Sequence, residues 1–199
     1  MKTAVISKAC GEINWERLPK IEINEKCVKD FDADISTFAQ ICYDENAFYL
    51  HFSSDEHPVR AEVKDPLGET CEDSCMEFFF RPDPSDMRYF NFEFNPALCP
   101  FIGFGRGIAG LIRLFPRKKL FCPKACVKDD GWELYYSIPF SFVRQFFPDF
   151  APHSGEKILA NFYKCGEKTE KEHYYCWSTP ADRECAFHCP EFFCELVFE

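Results

Sequence analysis

The chain has 199 residues, a formal net charge of −10, 46% apolar residues and 18% aromatic ones, with 24 phenylalanines. That length fits one domain spanning residues 1–199 with a sizeable core, and the aromatic content excludes a disordered chain. The acidic balance, with Lys and Arg scattered apart from Arg117-Lys118-Lys119, argues against nucleic acid and anionic membranes as partners. No apolar run approaches the roughly 20 residues of a membrane span.

The opening Met1-Lys2-Thr3-Ala4-Val5-Ile6-Ser7 is too short and broken for a signal peptide. As given, the chain reads as cytoplasmic; it would be extracellular if it is a trimmed piece of a longer one. Phe38 to Tyr43 and Ala47 to Ser53 are extended runs around the turn Asp44-Glu45-Asn46, which predicts a hairpin. Its second strand puts Phe48, Leu50 and Phe52 on one face and Tyr49, His51 and Ser53 on the other. Met76 to Phe80 is another strand, with Met76, Phe78 and Phe80 inward and Glu77 outward. A turn-rich loop, Arg81-Pro82-Asp83-Pro84-Ser85-Asp86, follows it.

Tyr89 to Asn95 carries the strongest functional signal. Period-two alternation gives Phe90, Phe92 and Phe94 one face and Tyr89, Asn91, Glu93 and Asn95 the other. Amides and carboxylates bond vicinal hydroxyls, and a ring offers an apolar plate. The row therefore predicts an open, solvent-facing hollow suited to a sugar.

Downstream, Gly103-Phe104-Gly105-Arg106-Gly107 lacks the following helix that a dinucleotide loop needs, so a turn or bulge is expected. Ile108 to Phe115 reads as extended, and Lys118 to Lys128 as strand and loop. Gly131 to Pro139 is a clear strand with Trp132, Leu134, Tyr136 and Ile138 on its apolar face. Pro139 to Phe150 is predicted helical, capped by Ser141 and ended at Pro148. Strands follow at Ile158 to Tyr163, Tyr174 to Trp177 and Phe192 to Phe198, the last with Phe192, Cys194, Leu196 and Phe198 on one face. Many short strands and one short helix predict an all-β, antiparallel β-sandwich.

An odd count of 13 cysteines without a signal argues against a disulfide framework and for reduced, mostly buried thiols. Cys71/Cys75, Cys122/Cys126 and Cys185/Cys189 have zinc-compatible spacing but lack the tight knuckle form. Asp30-Phe31-Asp32-Ala33-Asp34 opens like a calcium loop, yet Ile35 and Ile41 stand where Gly and Glu are required. That excludes an EF-hand and leaves a looser calcium site at Asp32 or Asp34 open. Trp177 reads equally as a sugar platform or a packed ring. His188 has no neighbouring nucleophile–base arrangement, and Glu77 with Glu93 could form a glycosidase pair.

The chain resembles the carbohydrate-binding family 9-like domains, relatives of a module appended to bacterial xylanases. The resemblance rests on Asp73 to Phe80, Tyr89 to Pro96, Trp132 with Ile138-Pro139, Asn161 to Gly166, Tyr175-Cys176-Trp177 and Phe187-His188 through Phe198. It implies a jelly-roll or immunoglobulin-like sandwich, a saccharide ligand, a link to carbohydrate breakdown and calcium sites that support the fold. Carried over by motif, Glu77, Glu93, Asn95 and Asn161 are polar ligands; Trp177, Tyr163 and His188 are aromatic walls. Two departures stand out. Ala97-Leu98 replaces the usual glycine after Asn-Pro, and Phe193-Cys194-Glu195-Leu196 replaces the closing Phe-Gly-x-Leu. Three readings follow: a non-catalytic sugar-binding domain first, a hydrolase using Glu77 and Glu93 second, and an intracellular interaction domain that has lost its ligand third.

Overall fold

The computed structural model describes residues 2–180 and 187–199. Among them are fourteen strands and one four-residue α-helix. In chain order the strands are β1 (Thr3–Lys8), β2 (Ile21–Glu22), β3 (Glu25–Lys26), β4 (Thr37–Tyr43), β5 (Ala47–Ser54), β6 (Cys75–Arg81), β7 (Tyr89–Phe94) and β8 (Pro100–Gly105). They continue with β9 (Ile112–Leu114), β10 (Lys124–Lys128), β11 (Gly131–Pro139), β12 (Lys157–Gly166), β13 (His173–Cys176) and β14 (Cys194–Phe198).

One curled, mixed sheet joins eleven of them in the order β10-β11-β5-β4-β1-β14-β12-β6-β7-β8-β9, with β2 added beside β4 and β13 and β3 beside β12. Most neighbours are antiparallel, but β1 is parallel to both β14 and β4. This corrects the purely antiparallel expectation. Alternation reports which residues share a face and says nothing about strand direction; β1 takes partners from distant parts of the chain, which local patterning cannot anticipate.

The predicted hairpin forms as β4 and β5. Asp44 Oδ1 accepts from the amides of Asn46 at 2.7 Å and Ala47 at 2.9 Å and closes the turn. Phe48, Leu50 and Phe52 meet Leu134, Tyr136 and Ile138 of β11 in the core. Facing them, β6, β7 and β12 contribute Phe78, Phe80, Phe90, Phe92, Phe94 and Phe162. The rings interlock across the core: Phe94 lies 4.8 Å from Tyr136, and Phe52 lies 5.9 Å from Phe162. Offset and edge-on pairs of this kind add to the area they bury.

Helix α1 is shorter than predicted, Phe140–Val143, and no side chain caps it. Phe140 packs on Phe48 while Phe142 packs on Phe92 and Phe121. Rings pulled to different sides of the core oppose a long one-faced helix, and Arg144 bonds the Phe150 carbonyl at 2.8 Å to hold the turn that follows. The glycine-rich stretch is also revised. Gly103 and Gly105 lie inside β8, and a Cβ on Gly105 would stand 2.1 Å from the Gly110 carbonyl oxygen. They are glycines because the chain entering β9 passes close over them.

Candidate functional site

Opposite the phenylalanine core, β12, β6 and β7 present a second face in register. Cys165 pairs with Cys75, Glu77 stands between Tyr163 and Glu93, and Phe79 stands between Asn161 and Asn91. The alternation read from the sequence is correct. The openness is not: Tyr89, Asn91, Asn161 and Tyr163 are fully buried, and Glu77 nearly so.

The cover comes from the segment that starts at residue 187. Phe187 stacks on Tyr163 at 4.2 Å, His188 lies 5.2 Å from Phe79, and Phe193 meets Tyr89 edge-on at 5.6 Å. Hydrogen bonds fasten it, among them one from Arg81 Nη1 to the Pro190 carbonyl at 3.1 Å. Tyr163 donates to the Phe187 carbonyl at 3.0 Å, and the Tyr89 hydroxyl lies 2.7 Å from His188 Nδ1. The aromatic residues on this outer face thus form a second hydrophobic cluster with Cys27, Cys75, Cys165 and Cys176.

Two proposed ligands are spent on the protein itself. Asn95 donates to Val63 O and Asp73 Oδ2, both at 2.8 Å, and accepts from the Cys99 amide at 2.8 Å. Asn161 donates to Tyr163 at 3.0 Å and to Ser178 O at 2.8 Å, and accepts from the amides of Phe162 and Ser178. Trp177 does not join the face at all. It packs in the main core, edge-on to Phe162 at 6.0 Å.

Asn91 and Glu93 differ. Asn91 Nδ2 donates to Glu93 Oε1 at 2.9 Å, but Asn91 Oδ1 has no partner among the described residues. A buried polar atom left so is uncommon. Glu93 keeps 7% of its surface exposed. Burial pushes its carboxyl up to about 7, against the hydrogen bond from Asn91 and the positive charge of Arg113; Glu69 and Glu167 add repulsion. Glu77, directly opposite, is raised by burial first and by Glu93 second, and it accepts from the Cys165 thiol at 2.9 Å. His188 is lowered to about 4 by burial.

Arg113, Glu69, Glu167 and Cys71 were not foreseen near this end of the face. Arg113 sits on β9, donates to Leu67 O at 3.1 Å and Gly68 O at 2.7 Å, and lies over the Phe101 ring at 4.4 Å. No local pattern marks it, because pairing of β9 with β8 brings it there.

Among the described residues, only Cys75, Glu77 and Cys165 gather three metal-ligating atoms, all within 4.8 Å of one another. Two thiols and one carboxylate do not suit calcium, which takes six to eight oxygens. Asp32 and Asp34 are exposed and belong to no such group. Cys122 and Cys126 are exposed and likewise outside it. Cys185, of the pair with Cys189, lies outside the described residues. A separate recess of about 650 Å³ opens between residues 82–88 and 146–158, with Phe146, Phe147, Asp86 and Arg88 on its walls.

A profile of carbohydrate-binding family 9 matches residues 9–115 and 121–198. Among solved structures, a Bacteroides uniformis protein described as a "putative carbohydrate-binding protein" superposes with a TM-score of 0.84 at 27% identity, over 100% of this chain and 99% of its own. A family 9 module from Caldicellulosiruptor kristjanssonii in complex with cellotriose gives 0.70 at 12% identity, over 100% and 94%. One from the same organism in complex with glucose gives 0.63 at 12% identity, over 100% and 96%. At 12% identity the likeness is one of fold. No curated protein matches the chain.

Proposed function

The chain belongs to carbohydrate-binding family 9, and from that premise we propose that it holds a saccharide without catalysis at the Asn91–Glu93 end of the covered face. The curled sheet then corresponds to the family's jelly-roll sandwich, and the domain serves carbohydrate breakdown. One observation carries the placement. Of the row's amides, Asn161 and Asn95 are fully used internally, whereas Asn91 keeps an unpartnered acceptor beside Glu93, a buried residue with 7% of its surface exposed.

Two sugar hydroxyls, one donating to Asn91 Oδ1 and one to Glu93, would satisfy both. Arg113 and the half-buried Phe101 ring beneath it supply a donor and an apolar wall nearby. Opening a buried site of this kind costs part of the binding energy, so binding should be weak, with Kd about micromolar to millimolar.

The test is calorimetric titration with glucose, cellotriose and a panel of other saccharides. Wild type is expected to bind a member of the panel, and Glu93→Gln and Asn91→Ala to weaken it at least about tenfold, or 1.4 kcal/mol. Unchanged affinity in both variants removes the site; no binding by wild type to any saccharide removes the function. A second placement has one point in its favour: the recess beside Phe146 and Phe147 is open as it stands. Ligand-induced NMR shifts at Arg88 rather than Arg113 would select it. A hydrolase built on Glu77 and Glu93 has less support, because Glu77 is sealed beneath the cover and bonded to a thiol.

A further inference from the structure

The cluster at the inner end of the same face is not used by the saccharide reading. Cys75 and Cys165 lie directly opposite each other on β6 and β12, and Glu77 follows Cys75 on the same side. All three are buried, and their donor atoms converge within 4.8 Å. Donors around a tetrahedral zinc ion stand roughly 3–4 Å apart at the usual bond lengths. The Cys165–Glu77 pair already lies at 2.9 Å, and a contraction of about 1 Å at most brings the rest of the group to that span. The half-buried Cys71 lies beside the group, since the Cys165 thiol reaches its carbonyl at 3.7 Å.

We propose that Cys75, Glu77 and Cys165 bind a soft divalent cation, with zinc as the natural probe, leaving a fourth position open on the side of Cys71. Two thiolates select zinc or cadmium over calcium and magnesium. On binding, each thiol and the carboxyl release one proton to solvent, and the Cys165–Glu77 hydrogen bond is replaced by two bonds to the metal. Side chains of two strands, β6 and β12, would then be tied at one point. The inference is independent of any sugar.

Exposed Cys10, Cys122 and Cys126 would compete for metal, so the test uses the full chain carrying Cys10→Ser, Cys122→Ser and Cys126→Ser, kept reduced with a phosphine. Titration with cadmium(II) is expected to give a thiolate-to-metal charge-transfer band that saturates at one ion per chain. Zinc(II) should displace it and raise Tm, as any ligand of the native state alone must. Affinity should climb with pH because protons are released. In Cys165→Ala the band should vanish. If that variant does not fold, Glu77→Gln keeps both thiols and the volume, and should lower affinity at least about tenfold. Absence of the band, its persistence in Cys165→Ala, or unchanged affinity in Glu77→Gln overturns the proposal.

Discussion

At the scale of single residues, identical side chains have unlike duties. Asn95 ties β7 to the loop at Val63 and Asp73, and Asp73 in turn holds the Val63 amide at 2.7 Å and the Arg60 guanidinium at 3.2 Å. Asn95→Ala is therefore expected to lower stability by about 1–3 kcal/mol through the buried partners it strands. Saccharide affinity of the folded protein should be little changed, and urea unfolding beside calorimetry checks both. Glu93 gives a pH signature. Its folded value of about 7 lies above the ordinary 4.5, so the folded state holds the extra proton between those values. That contribution to stability is complete below 4.5 and is lost as pH rises through about 7. Glu93→Gln should flatten the decline in Tm across that window; an unaltered slope would contradict the assigned shift.

Individual elements owe their positions to close approaches. β9 lies against β8 because Gly103 and Gly105 have no side chains to hold it off. Gly105→Ala places a methyl group against the Gly110 carbonyl and should cost about 1–3 kcal/mol. It should also move Arg113 away from Glu93 and weaken saccharide binding. Gly110→Ala meets nothing within 4 Å and should do neither, so the pair of variants separates steric contact from loss of glycine flexibility. The β8 glycines were visible in the sequence, but their reason was not. A Gly-x-Gly pattern reads as a turn until the strand that crosses it is in place.

Across the whole molecule, burial of ionisable groups on both faces of the sheet sets acid stability. Burial holds His51, His173 and His188 at about 4, below the ordinary 6.5; for His173 the charge of Lys164 adds to it. Each contributes stability that is present above 6.5 and is lost as pH falls toward 4. This opposes the Glu93 contribution over the same window, so the histidine part is read by difference: as pH falls from 6.5 to 4, His188→Gln should lose less Tm than wild type. Buried charges add a further constraint. Lys164 Nζ lies 2.7 Å from Glu56 Oε2 and 2.7 Å from His173 Nε2, and Trp132 donates to the same Glu56 oxygen at 3.1 Å. Lys164→Ala leaves Glu56 charged and buried, and should destabilise by about 3–5 kcal/mol in denaturant unfolding.

The sequence by itself determined the β class, the hairpin at Asp44, and which side chains of strands such as β5, β7 and β11 share a face. These follow from side-chain alternation and turn chemistry, which act over a few residues. Tertiary structure decided the parallel placement of β1, the cover of residues 187–193 over Phe79, Tyr89 and Tyr163, and the meeting of Cys75 with Cys165. Those depend on partners that lie far apart in the chain, 90 residues for Cys75 and Cys165 and 192 for Thr3 and Glu195. Nothing in the pattern of one strand records which distant segment will cover its outer face.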